Sequence, residues 1–308
     1  VDLAQMIKVI QHGSMSVADD FRGFRANYLV PASTVGSISS RYKLITKRLN
    51  ADFWNTTSET SHSLYVGSYG RDTAARGVSD LDIAFTLPNA VYHKYNAYQT
   101  NGQSALLQAV RASIATTYPT SYVGGDGQVV AINFTDGIRF EFLPVFLNSA
   151  STFTFADSNG GGTWRVCNPR AEMLAFAERN TATNGNLKAL GRMARIWKSH
   201  CSVNISGMLI DTLAYQFIGS WANRDKSFMY HDYMVRDFMY YLWQQDRNKL
   251  FWLAPGSGSH VYKAGSFQTA AKTAYDNAIA GINADVSKQN WAYTQAWRAI
   301  FGTNFPSR

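Results

Sequence analysis

Gly67-Ser68-Tyr69-Gly70-Arg71-Asp72-Thr73, followed by Ser79-Asp80-Leu81-Asp82-Ile83, is the stretch on which the reading of this chain turns. Ser63 to Val66 reads as a short strand ending at Gly67. There a missing side chain lets the backbone approach an anion, and amides and the Ser68 hydroxyl can donate to it. Asp80 to Leu87 alternates. Leu81, Ile83, Phe85 and Leu87 fall on one face, Asp80, Asp82, Ala84 and Thr86 on the other, and Pro88 stops the run. Both carboxylates therefore leave the same face of a strand. Like charges that close are unfavourable unless a cation sits between them, and oxygen-only ligation favours Mg²⁺ or Mn²⁺ over zinc. Two-metal phosphoryl or nucleotidyl transfer, with ions about 3.5–4 Å apart, asks for a further carboxylate on a neighbouring strand. Glu141, flanked by Phe140 and Phe142, qualifies, with Arg139 the one obvious base on its own face; the plainer alternative is that Glu141 simply pairs with Arg139 or with a base on another strand. Three acids and a Gly-Ser turn point to metal-dependent handling of a nucleoside triphosphate.

Around this stretch the chain alternates helix and strand and then turns helical. Ile38, Tyr42, Ile45, Leu49 and Phe53 recur at helical spacing behind the N-cap candidates Ser33 and Thr34, and residues 3 to 28 predict another helical segment. Gln103 to Thr116 is helical. Val129 to Phe134 and Ile138 to Phe146 are strand-like runs joined by Thr135-Asp136-Gly137, a hairpin signal. Asn159 to Gly162 is a polar, glycine-rich joint, which divides the chain into residues 1–158 and 159–308. Beyond it helices are expected over 170–180, 186–200, 205–222, 231–245, 266–284 and 288–300, interrupted by a loop at Pro255-Gly256-Ser257-Gly258-Ser259. That loop lacks the Gly-Lys-Ser/Thr of a P-loop. The fold class is α+β: a mixed-sheet lobe, then a mostly helical lobe, with a cleft expected between them.

Composition narrows the classes. Of 308 residues, 46% are apolar and only 16% charged, which argues for a large ordered core and against disorder. Two cysteines, Cys167 and Cys201, exclude a disulfide framework or a four-cysteine zinc site, and the scattered histidines show no zincin pairing. No signal peptide is expected from Val1-Asp2-Leu3-Ala4-Gln5, and Ile205 to Ile218 is too short to span a membrane and carries Asp211, so a reduced cytoplasmic protein fits best. The net charge of +8 suits an anionic partner such as nucleic acid, a phosphate-rich small molecule or a membrane surface, without choosing among them.

Gly-Ser followed at this distance by Asp-x-Asp, with a third acid on a later strand, resembles the DNA polymerase β-like nucleotidyltransferases. Gly67-Ser68-Tyr69 through Asp82, then Phe140-Glu141-Phe142-Leu143-Pro144, resembles the SMODS group, bacterial relatives of cyclic GMP–AMP synthase that make cyclic oligonucleotide signals in antiphage defence. The resemblance implies a polymerase β-like fold with the active site in the cleft between the lobes. It implies synthesis of a cyclic di- or trinucleotide from nucleoside triphosphates, with pyrophosphate release. Gly67 and Ser68 would hold the triphosphate, and Asp80, Asp82 and Glu141 would bind two Mg²⁺ (or Mn²⁺) ions. Glu141 stands where the family usually has Asp. On the helix from Asn186, Lys188, Arg192, Arg195 and Lys198 form a basic stripe opposite Leu190, Met193 and Trp197. The resemblance implies that Lys198, with Arg195 in reserve, and Ser206 meet phosphates, and that Arg165 and Asn168 of Trp164-Arg165-Val166-Cys167-Asn168-Pro169 meet a base. Asn168 could equally cap a helix. An activating partner protein or C-terminal conjugation, and a downstream cyclic-nucleotide effector, are expected from the same resemblance. The alternatives are a linear oligonucleotide synthase, a nucleotidyltransferase acting on RNA, protein or a small molecule, and a nonenzymatic nucleotide or RNA sensor.

Overall fold

The computed structural model describes residues 16–78 and 80–308. In chain order the elements are α1 (Val17–Tyr28), α2 (Ala32–Trp54), β1 (Ser63–Tyr65), the single turn α3 (Gly67–Gly70), β2 (Asp80–Thr86), α4 (Asn89–Asn96), α5 (Gly102–Thr117), β3 (Val123–Asp126), β4 (Val129–Asn133), β5 (Arg139–Leu147), β6 (Phe153–Asp157) and β7 (Thr163–Cys167). There follow α6 (Pro169–Ala182), α7 (Asn186–His200), α8 (Gly207–Ser220), α9 (His231–Trp243), β8 (Phe251–Leu253), β9 (His260–Tyr262), α10 (Gln268–Val286) and α11 (Asn290–Phe301). Each helix expected after residue 170 is present. The helical segment expected over 3–28 appears as α1, capped by a reciprocal Ser16–Asp19 box; residues 3–15 and Ser79 lie outside the described residues.

The chain divides into two compact units. Among the described residues one holds 16–29, 178–252 and 260–308, and the other holds 30–177 and 253–259. Asn159–Gly162, where the sequence suggested a boundary, is a 3-10 turn inside the latter unit. The reason is that β6 and β7 continue one antiparallel ladder on either side of the glycines, with Phe155 opposite Arg165. The helical unit instead takes in α1, because Phe21 and Phe24 are buried edge-on or tilted against Trp297, Phe301 and Phe305.

The sheet unit carries a seven-stranded sheet in the order β1-β2-β5-β4-β3, with β6 paired to β5 and β7 to β6. Among the described residues of this sheet only β2 and β5 run parallel, and the other pairs are antiparallel. Alternation decides which face is buried. Leu81, Ile83 and Phe85 of β2 and Phe140 and Phe142 of β5 join Ile38, Ile45 and Leu49 of α2 and Leu106, Val110 and Ile114 of α5 in one core. The opposite face changes character along its length. At one end Ala84 and Val145 pack with Val66, Phe153 and Phe155; at the other stand Asp80, Asp82, Arg139 and Glu141. The apolar β2 and β5 side chains therefore fix the depth and register of the acids behind them.

Candidate active site

The parallel β2–β5 ladder sets Asp82 directly opposite Glu141 and Asp80 opposite Arg139. All four lie on the face turned away from the main core. β1 ends beside them, because the Val66 amide still donates to the Asp82 carbonyl at 2.9 Å. The chain then turns sharply through Gly67 at φ +59°. A side chain there would be strained, and it would also have no room: an added Cβ would stand 1.8 Å from Asp82 Oδ2. The carboxylate of Asp82 thus rests against the backbone of the Gly-Ser turn. α3 and the following bend are held by Gly70 N to Val66 O at 2.8 Å and Thr73 N to Ser68 O at 2.8 Å.

Electrostatics mark the same place. Burial pushes the Asp82 carboxyl above its ordinary range; Arg71 opposes the shift and Asp80 adds to it. Glu141 is raised too, first by burial and further by Asp82 and Asp80, with Arg139 acting the other way. These acids sense one another through space. The donor set is all oxygen, lies on one face of two adjacent strands and carries like charges that repel, which fits a hard divalent cation. The side chains are nonetheless not gathered into a finished seat: among the described residues no group of three or more His, Cys, Asp or Glu could hold a metal ion as placed. Glu141 has turned to Arg139, whose Nε lies 2.7 Å from Glu141 Oε1. This is the pairing that the shared strand face of Arg139 and Glu141 allowed.

Arg71 is a residue to which the sequence reading assigned no role. It is buried, with Nη1 3.4 Å from Glu172 Oε2 and its guanidinium 5.8 Å from the Phe176 ring. The Ser257 hydroxyl donates to the other Glu172 oxygen at 2.8 Å. The loop of residues 255–259 therefore braces Glu172, and Gly256 (φ +78°) lies so close to Ala171 O that a Cβ would meet it at 2.1 Å.

The remaining expected residues divide by role. Lys198 sits half-buried near the end of α7. Arg195, the reserve phosphate ligand, is instead held between helices. Its two terminal nitrogens reach the fully buried Asp211 at 2.5 and 2.8 Å, and they donate also to Gly207 O and Gly191 O. Its guanidinium is thereby engaged as a clamp between α7 and α8. Ser206 is the N-cap of α8, its Oγ accepting from Leu209 N at 3.1 Å. Asn168 Oδ1 accepts from Ala171 N at 3.1 Å, the helix-capping alternative. Arg165 is exposed and pairs with Asp157 at 3.1 Å. Gly67, Ser68, Asp80, Asp82, Glu141, Arg165 and Asn168 belong to the sheet unit; Arg195, Lys198 and Ser206 belong to the helical one.

Comparison with known proteins gives a consistent result. A probable cyclic nucleotide synthase of Bacillus cereus (strain VD146) is 21% identical over 178 residues, which is 54% of this chain and 52% of that protein. The chain thus spans about half the length of this curated relative. Among solved structures, Escherichia coli MS115-1 CdnC with ATP matches with a TM-score of 0.67 at 14% identity, covering 94% of this chain and 99% of that one. CdnG of Bradyrhizobium diazoefficiens with GTP matches at TM-score 0.66 and 11% identity, over 93% and 95% of the two chains. The cyclic AMP–GMP synthase DncV of Vibrio cholerae matches at TM-score 0.61 and 14% identity, over 80% and 69%. The fold is thus the polymerase β-like nucleotidyltransferase fold of these proteins. Residues 15–180 match the profile of the Second Messenger Oligonucleotide or Dinucleotide Synthetase domain, and the chain belongs to that SMODS family.

Proposed function

We propose that this chain is a divalent-metal-dependent nucleotidyltransferase that joins nucleoside triphosphates into a cyclic di- or trinucleotide, releasing pyrophosphate, as a signal in antiphage defence. One observation carries the reading: Asp82 faces Glu141 across a parallel ladder, Asp80 shares the same strand face two residues away, and Asp82 rests on the Gly67-Ser68 turn. In this reading the turn's amides and the Ser68 hydroxyl cradle the triphosphate. Asp80, Asp82 and Glu141 are the residues that would hold Mg²⁺ or Mn²⁺. Bound there, the cations would neutralise the triphosphate and ease removal of the attacking hydroxyl's proton. The chain's own contribution is positioning: β2 and β5 fix the acids from behind, and no covalent intermediate on the enzyme is needed. Lys198 is the helical unit's candidate for a phosphate. Relatives support the substrate class, since CdnC was solved with ATP and CdnG with GTP. CdnC was also solved with a HORMA protein, and an activating partner is proposed here on that analogy.

The test is product analysis. The protein is incubated with ATP, GTP, CTP and UTP, singly and together, in Mg²⁺ and in Mn²⁺, and products are treated with phosphatase before mass spectrometry. A phosphatase-resistant cyclic mass, absent from Asp82→Asn, is expected. A ladder with phosphatase-sensitive ends would replace cyclisation by linear synthesis, and product only when RNA is added would indicate an RNA acceptor.

A further inference from the structure

Arg139 stands in an unusual place for a base. It is the register partner of Asp80 and lies two residues from Glu141 on the same strand face. Its guanidinium spans two carboxylates, and the two contacts differ in kind. Nη2 donates to Asp126 Oδ2 at 2.9 Å, a formed hydrogen bond. Nε lies 2.7 Å from Glu141 Oε1, yet this buried Nε makes no aligned hydrogen bond. The inner contact is therefore one of charge, and the outer one is directional. Asp126 closes β3 and its side chain is 72% exposed, whereas that of Glu141 is only 25% exposed. A swing of Arg139 toward Asp126 would move its charge outward, into water, at little cost. The inner contact turns Glu141 Oε1 toward Arg139.

We infer that Arg139 is a built-in counter-ion of the acidic face. It neutralises Glu141 when no divalent cation is there, and it gives Glu141 up by withdrawing onto Asp126 when one arrives. The inference rests on the reading of Asp80, Asp82 and Glu141 as the metal-holding acids. Its consequence is a threshold: the cation has to displace an internal positive charge, so the site loads at a higher metal concentration than three bare carboxylates would need.

The test is Mn²⁺ binding to the full chain, followed by the electron paramagnetic resonance signal of free Mn²⁺ without nucleotide. Arg139→Gln is expected to bind Mn²⁺ three- to tenfold more tightly, and Arg139→Lys to stay near the wild type. Asp126→Asn removes the outer anchor, leaves Arg139 on Glu141 and is expected to weaken binding at least threefold. The double variant should bind as tightly as Arg139→Gln alone. A merely structural arginine would give losses in both single variants, or no change, and either pattern overturns the counter-ion. Because Asp126 is exposed, its variant keeps the test decisive if Arg139→Gln misfolds. Asp82→Asn separates the two claims. If Mn²⁺ binding is absent throughout or indifferent to Asp82→Asn, the metal reading of the acids fails and the counter-ion with it. If binding depends on Asp82 but Arg139→Gln binds no more tightly than wild type, the counter-ion alone fails.

Discussion

Gly67 and Asp82 form the contact on which the site depends. A methyl at residue 67 has to displace the Asp82 carboxylate or open the turn, and φ +59° strains any L side chain in addition. Gly67→Ala is therefore expected to cut nucleotidyl transfer by two orders of magnitude or more while the protein still melts cooperatively; activity within threefold of wild type would show that Asp82 is not held there during the reaction. The acids were legible in the sequence because a period of two fixes a strand's faces without further information, and the same rule made the Arg139–Glu141 pair readable. Arg71 was not legible. Its partner Glu172 lies 101 residues away, and no local pattern announces such a contact. Arg195 shows the limit from the other side. Helical periodicity places it correctly on a basic stripe, but the stripe says nothing of Asp211 on the next helix, which takes up its guanidinium.

At the scale of elements, long periodic segments were readable and short ones were not. α2, α5, the β4–β5 hairpin and the later helices follow from spacing and turn residues. β3, with Gly124 and Gly125, and the three-residue strands β8 and β9 have too few alternating side chains to reveal themselves; their pairing is tertiary. The start of α9 carries a pH signature of its own. Burial pulls His231 down from 6.5 to about 4 and pushes Asp232 up from 3.8 to about 6. As pH falls from 6.5 toward 4, the unfolded chain takes a proton at His231 that the folded one refuses, so folding loses up to about 3 kcal/mol. As pH falls through 6 toward 3.8, the folded chain takes a proton at Asp232 first, so folding regains about 3 kcal/mol. The two nearly offset each other in the wild type. Asp232→Asn should make stability fall more steeply between pH 6.5 and 4.5 than in the wild type, and His231→Gln should shift the slope the other way. Denaturant midpoints across that range measure both, and slopes identical to wild type would contradict the assignment.

On the largest scale, the helical unit is held together by residues far apart in sequence. The side chain of Arg308 is covered, pairs with the fully buried Asp20 of α1 and with Asp285 of α10, and stacks 3.6 Å over the Tyr293 ring of α11. Removing the cation would leave Asp20 charged and unpaired, which costs about 3–5 kcal/mol by the measure of broken buried pairs. Arg308→Ala is expected to lower the melting temperature by ten degrees or more; a change under two degrees would mean that water replaces the clamp. The division into a sheet unit and a helical unit was readable as a change of pattern along the chain, but the assignment of α1 to the helical unit was not, since it rests on Phe21 and Phe24 meeting aromatic side chains near the other end of the chain. The central claim joins these scales: a fold that sets Asp82 on the Gly-Ser turn and opposite Glu141, with Asp80 on the same face, is proposed to serve nucleotide transfer. Pyrophosphate release from the four nucleoside triphosphates in Mg²⁺, with no other acceptor present, tests it most directly. Steady release from the wild type, at least a hundredfold above that from Asp82→Asn, is the predicted result, and equal release from the two proteins would contradict it.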